Sequence, residues 1–484
     1  MSDRTLVQQL ADFAASSRDN GVDEVVTSDV GGRVLDALGN AFAAYAAKDG
    51  GGQEPWEAIR TLITRWGGAP EASAIGVDHK LPAASAALLN GTLAHSLDFD
   101  DTHLPSVLHP SASVVPAVLA AADAAGSSGM ATLVAAAVGV EICNRLGMGS
   151  YDPAIRNSIF FEHGLHATSI CGTVGGAAAV ATLLGLDANG IAHAMSIACS
   201  MGAGLIEANR TGGTIKRVHC GWAAHSAVIS AQMAEAGITG PPTVLEGRFG
   251  FYEALSRSWH DPQAIVGDLG TRWELLRTFY KPYPSNHFTH AGIDAAIALK
   301  REHDLDPADI VSMELGLPAP VLRSIAEPRD EKVRPKSGYH AKFSGPFTVA
   351  TALLGGGGLG VYLDDFTDAN AEDPERLRLA ASVTCVADDM CTDIFPNQFP
   401  AVLRIVTRHG ATLERRVNAN RGGPDNPLSP DELALKFSLN ASRALSDDDV
   451  HALGAAVQAL ATSATPLVLP MVLPHLPLPL PPGR

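Results

Sequence analysis

The sequence has no C-x2-C pair: its six cysteines, Cys143, Cys171, Cys199, Cys220, Cys385 and Cys391, are scattered over 484 residues. That spacing excludes a dense disulfide framework and offers no zinc or iron–sulfur cradle, so the thiols read as reduced and packed, as in a cytoplasmic protein. Positive charge is also short. With 35 Lys+Arg against 52 Asp+Glu the formal net charge is −17, and no nucleic-acid partner is expected, because phosphate backbones are held by basic surfaces. Charged residues make up only 18% and hydrophobic residues 46%, which excludes disorder and supplies a large core. No motif recurs at a fixed period, which excludes a solenoid.

The first twenty residues, MSDRTLVQQLADFAASSRDN, are broken by charge and lack the apolar stretch of a signal peptide, so a cytoplasmic location is expected. One stretch, Ala167 to Leu186, is uncharged over twenty residues and has bilayer length. Its Ala and Gly content, flanked by His163, His166 and Asp187, favours a helix buried in a protein core, where small residues let neighbours approach. No membrane partner is expected.

Up to residue 268, Ala-rich stretches of helical period alternate with short Gly, Pro, Asp and Asn breaks: Gly31–Ala47, Ala83–Leu97, Ser113–Ala125, Ala131–Leu146, Ile191–Ala203 and Gly221–Ala236. Ala is the best helix former and β-branched runs are scarce, so residues 1–268 are expected to form one large all-helical domain. Thereafter prolines become frequent and β-like runs appear at Ile310–Leu315, Leu379–Val386 and Val402–Val406. The run from Val402 to Val417 reads as two strands joined by a turn at His409 and Gly410. With helical stretches at Thr289–Arg301 and Phe347–Leu354, residues 269–420 read as a smaller α+β lid domain. Helical pattern returns at Ser429–Phe437 and Ser446–Ala461, so residues 421–465 are expected to rejoin the first domain. The fold expected is mainly α, with the α+β lid inserted before the C-terminal helices. Residues 466–484 are a Pro/Leu-rich tail that regular helix cannot accommodate.

Four clusters could carry chemistry. The first, Asn90 to Ser111, runs from an apolar helix into His95, Asp98, Asp100, Asp101, Thr102, His103 and His109. Carboxylates and imidazoles at the end of a buried helix have their proton affinities pushed apart, which suits acid–base work; the plainer reading is helix capping in a solvated loop. No H-E-x-x-H or calcium-loop pattern is present, and no metal is expected. The second cluster sets Glu162, His163 and His166 before the small-residue stretch. In the third, Arg210, Lys216 and Arg217 crowd around Gly212–Gly213 ahead of a helix, an arrangement that favours an anion, or else ordinary surface charge. The fourth places Lys281, Tyr283, His287 and His290 among stiffening prolines; Tyr339, His340 and Lys342 lie further on.

In order and spacing, LDFDDTHLPSVLHPS, HGLHATSICGTVGGAAA, GGTIKRVHCGWAAHSA and KPYPSNHFTHAGIDA resemble the MmgE/PrpD family of 2-methylcitrate dehydratases, cis-aconitate decarboxylases and iminodisuccinate epimerases. The resemblance runs over most of the chain. It implies a helical domain with an α+β lid, a homodimer, and a cofactor-independent lyase that moves a proton at a carbon next to a carboxylate of a small di- or tricarboxylate. It places the site at Asp98, Thr102, His109, His166, Lys216 and Lys281. On that basis His109, His166, Lys216, Lys281 and Asp98 are the candidate catalytic residues, and Thr102, His103, Arg210, Arg217, Tyr283 and His290 the candidate substrate-binding ones. A 2-methylcitrate dehydratase-like activity is the first expectation. Decarboxylation or epimerisation in the same site is the alternative, and a non-catalytic scaffold of the same fold is the reading from another class.

Overall fold

The structure is a computed structural model that describes residues 4–47, 54–208 and 213–469. Arg210 and the tail from residue 470 onward lie outside the described residues. Contacts divide the chain into two compact units: the described residues up to Thr278 together with those from Phe437 onward, and Phe279–Lys436.

The first unit is built from helices α1 (Leu6–Asn20), α2 (Glu24–Ala46), α3 (Pro55–Trp66), α4 (Ala83–His95), α5 (Ser111–Ala125), α6 (Gly129–Gly149), α7 (Ala167–Leu183), α8 (Ala188–Cys199) and α9 (His219–Glu235). The starts of α2, α5, α6, α8 and α9 lie two or more residues ahead of the expected ranges; Ser128 caps the start of α6 by accepting from the Ala131 amide, and Asp187 that of α8 by accepting from the Gly190 amide. All thirteen residues of α4 are buried, as are the first sixteen of α7. Small side chains make that possible. α7 packs on α6 and on α9, and α9 packs on α4. A Cβ on Gly91 of α4 would lie 2.8 Å from the Gly221 Cα of α9, so the two backbones touch where both residues lack a side chain. Helix α6 is long and apolar enough to cross a membrane, and 89% of its apolar window is buried inside the protein. The uncharged stretch that begins at Ala167 becomes α7, a helix of 17 residues enclosed by its neighbours.

The second unit holds α10 (His290–His303), α11 (Gly345–Leu354) and α12 (Pro374–Ala381) with strands β1 (Ile310–Leu317), β2 (Val383–Ala387), β3 (Ala401–Thr407) and β4 (Thr412–Val417). The sheet order is β2-β1-β3-β4. β1 pairs parallel with β2 (Leu315 opposite Cys385) and antiparallel with β3 (Leu315 opposite Leu403), and β3–β4 is the expected hairpin. Leu315, Leu403 and Ile405 project into a core that also contains Phe347, Leu353 and Leu299. The expected strand at Leu379–Val386 is half wrong. Asp373 caps a helix with Pro374 in its first turn, so α12 takes Leu379–Ala381 and the strand begins only at Val383.

The division falls after Thr278 and after Lys436, later than composition suggests at 268 and 420. Buried arginines explain the first shift: Arg145 donates to the carbonyls of Gly267 (2.6 Å) and Arg272 (2.8 Å), and Arg33 to that of Thr278 (3.0 Å), so this segment is tied to the helices. Arg421 explains the second, because it donates to the Leu359 carbonyl and pairs with Glu432, keeping the chain beyond 420 with the sheet. From Phe437, α13 (Pro430–Ala441) enters the helical unit, where Phe437 packs on Gly39 and Asn440 donates to Asn40 at 3.0 Å. α14 (Asp447–Gln458) packs on α2.

Candidate active site

In the helical unit one helix ends and three begin around a cluster of imidazoles. His95 is the last residue of α4, His109 lies two residues before α5, His166 precedes α7, and His219 opens α9. After α4 the chain turns through Asp98, which takes a left-handed conformation (φ 56°) that a short polar side chain tolerates better than most. The turn brings the Asp100 carboxylate back to His95, with Nδ1 to Oδ2 at 2.7 Å.

Asp101 anchors the next segment. Its buried carboxylate is held by Arg33 at 2.9 Å and accepts from the Ser111 amide and hydroxyl, which fixes the start of α5. Its carbonyl accepts from His109 Nδ1 at 2.7 Å, with Thr102 Oγ1 at 3.2 Å from the same nitrogen. A proton on Nδ1 leaves the lone pair of a neutral His109 on Nε2, the form a base needs. The His109 amide donates to Thr168 Oγ1 of α7.

The rings crowd together. Centroids lie 5.6 Å apart for His95–His109, 5.6 Å for His95–His166 and 5.0 Å for His166–His219, and His166 Nδ1 is 3.0 Å from His219 Nδ1. Gly204 permits this: a Cβ there would lie 3.1 Å from the His166 Cβ and 3.3 Å from His219 Nδ1. Lys216, in the short turn before α9, places Nζ 3.8 Å from Asp98 Oδ1 and is largely buried.

Charge separates these groups. Burial alone would favour a neutral His95, but its contacts with Asp100 and Cys220 outweigh that and push it up to about 10. Burial, reinforced by the positive charge of His95 and Lys216, drives His166 well below the ordinary histidine value. The same causes lower His219 to about 4. At neutral pH the cluster therefore pairs a charged imidazole with neutral ones beside it.

The structure thus brings Asp98, Thr102, His109, His166 and Lys216 together within the helical unit. His103 turns elsewhere: it bonds Ser106 at 2.7 Å and faces Glu274 at 3.5 Å in the core. Arg217 bonds Glu54 at 3.0 Å, His163 bonds the Leu255 carbonyl, and Arg210 is among the residues not described. Lys281, Tyr283 and His290 belong to the second unit, and all three are buried. There Tyr283 donates to Asp294 at 2.6 Å, and His290 Nε2 lies 3.2 Å from the Ser285 carbonyl with its ring against His287. The expected site set omits His95, Asp100, His219 and Cys220. Their sequence marks are weak: a glycine one turn before His95 and another just after Cys220, the pair through which α4 and α9 touch.

His95, Asp100 and Cys220 are the group among the described residues whose donor atoms, all within 4.8 Å, could surround a metal ion. The 2.7 Å hydrogen bond between His95 and Asp100 occupies two of those donors with each other, so the trio reads as a hydrogen-bonded unit.

Known proteins resemble this chain along most of its length. The MmgE/PrpD N-terminal domain matches residues 8–263 and the MmgE/PrpD C-terminal domain residues 283–462. The chain is 30% identical over 388 residues to cis-aconitate decarboxylase of Homo sapiens, covering 78% of this chain and 76% of the relative. It is 28% identical to cis-aconitate decarboxylase of Aspergillus terreus, over 74% of this chain and 75% of that one. Over a longer span, 92% of this chain and 94% of the relative, it is 26% identical to the cis-aconitate decarboxylase-like protein oryM of Aspergillus oryzae. With both halves of the family pattern in order along one chain, this protein belongs to the MmgE/PrpD family.

Proposed function

We propose that the protein is a cis-aconitate decarboxylase-like lyase. The observation that carries the reading is the cluster of His109 and His166 beside Lys216, buried in the helical unit of a chain whose matched relatives are named for that activity. These relatives favour decarboxylation over the 2-methylcitrate dehydration first expected from sequence.

The chemistry needs a cation for carboxylates and a proton donor. Lys216 binds a carboxylate group of the substrate. Asp98 orients Lys216, and Thr102 steadies the His109 ring. When the carbon–carbon bond to the departing carboxylate breaks, its electron pair forms a new double bond. The original double bond shifts its pair to the carbon beside a second carboxylate, and that carbon takes a proton from an imidazolium. Carbon dioxide leaves, and the imidazole regains its proton from water. His109 is the imidazole placed for this, and His166, neutral beside it, is placed to accept a proton. In a dehydratase or epimerase the same pair would instead begin by removing a proton.

A proton NMR time course in heavy water with cis-aconitate, 2-methylcitrate and iminodisuccinate tests the assignment. Loss of carbon dioxide from cis-aconitate with one deuteron incorporated is the expected result; alkene formation from 2-methylcitrate alone would return the reading to a dehydratase. The family resemblance also implies a homodimer, which light scattering of the purified protein checks.

A further inference from the structure

The reaction proposed above uses His109, His166 and Lys216 and leaves the most deeply buried ion pair of the cluster without a task. The His95 and Asp100 side chains are 1% and 2% exposed and joined at 2.7 Å. His95 stands 5.6 Å from His109 on one side and 5.6 Å from His166 on the other, ring centre to ring centre. It therefore touches both imidazoles that exchange protons, while its own Nδ1 is committed to a carboxylate.

We propose that the His95–Asp100 pair is a positioning element: Asp100 holds His95 as a fixed cation between the two rings, and that cation keeps His166 in its proton-accepting form. The proposal rests on reading this cluster as the site of a proton-transferring lyase. Like charges a few ångströms apart in a buried site repel strongly, so a second imidazolium beside His95 is disfavoured. The groups facing His95 are Asp100 and Asp98 from the loop after α4, His109 ahead of α5, His166 ahead of α7, and Lys216, His219 and Cys220 at the start of α9. Asp100 is the anion bonded to the ring, and Lys216 adds to the positive field. The directions of the proton affinities, His95 up and His166 down, agree with this geometry.

The test is a titration of the full-length protein carrying histidine labelled with carbon-13 at Cε1, assigned by single His→Gln variants and followed by NMR without substrate. In the wild type, His95 should stay protonated to about pH 9 and His166 should be neutral at pH 7. Loss of the His95 proton below about pH 8, or a charged His166 at pH 7, overturns the proposal. In Asp100→Asn, His95 should become neutral and the His166 midpoint should move to higher pH, to a proton concentration at least tenfold lower, with Asp100→Glu restoring both. A neutral His95 with an unmoved His166 overturns it as well. Should Asp100→Asn fail to fold, the wild-type titration decides alone. If no carboxylate is turned over, the proposed function fails, while the NMR result still judges the role of His95.

Discussion

In the second unit, the Tyr283 hydroxyl donates to Asp294, the Arg421 amide donates to the other oxygen of the same carboxylate, and the Arg421 guanidinium pairs with Glu432. Each of these contacts joins groups of opposite character, as in a structural network. In the helical unit the neighbours are alike. Four imidazoles approach one another, with an ammonium group beside them, and His95–Asp100 and Lys216–Asp98 are ion pairs among them. Stability gains nothing from placing like groups together in a low-dielectric interior. The contrast teaches that burial of titratable groups is not by itself evidence of a site; burial of groups that repel one another is.

Substitution should separate the two clusters. The largest effect is expected for His166→Ala and Lys216→Ala, which should each lower kcat/KM by about a thousandfold while the melting temperature stays nearly unchanged. Steady-state kinetics and calorimetry on the same preparations check this. If both variants keep full activity, the helical cluster is a structural one and the comparison fails.

Asp294→Ala should behave in the opposite way. It removes the acceptor of the buried Tyr283 hydroxyl and should cost about 1–3 kcal/mol by urea denaturation, with turnover within a few-fold of the wild type. A large loss of turnover at unchanged stability would move Tyr283 into the active machinery.

A smaller effect concerns acid. Burial would raise Glu274, but His103, Arg277 and Arg272 outweigh it and hold it at about 2, against an ordinary value of 4.5. A folded-state value below the unfolded one stabilises the protein above the unfolded value, and that stabilisation is lost as pH falls from 4.5 towards about 2. Glu274→Gln should therefore flatten the fall in urea midpoint across that window. The smallest effect is expected at Arg217, whose guanidinium is engaged by Glu54. Arg217→Ala should change KM less than threefold, roughly 0.6 kcal/mol; a rise of tenfold or more would restore it as a substrate-binding residue.

Much of the site could be read in the sequence because its residues come in compact blocks next to helix boundaries. Asp98, Thr102 and His109 lie within twelve residues, and His166 and Lys216 each precede an Ala- and Gly-rich helix. His103 shows the limit of that reading. It sits in the same block, yet its ring turns to Ser106 and Glu274, a partner 171 residues away whose position only the folded chain defines. Cys220 shows the converse. By spacing it is one more scattered thiol, and it joins His95 and Asp100 only because Gly91 and Gly221 let two helices touch. At Leu379 the local β-like run yields to a cap and a proline just upstream, so α12 runs to Ala381.

By itself the sequence determined the class of the fold, the helix-rich first part and the β3–β4 hairpin, since these follow from propensity, period and turn residues over short windows. It also determined which blocks carry the titratable groups. The tertiary structure decided which imidazoles face one another, which one is held charged by Asp100, and which polar groups are satisfied elsewhere. Those outcomes depend on distances between residues far apart along the chain and on the removal of water around them, and neither quantity exists until the helices have packed.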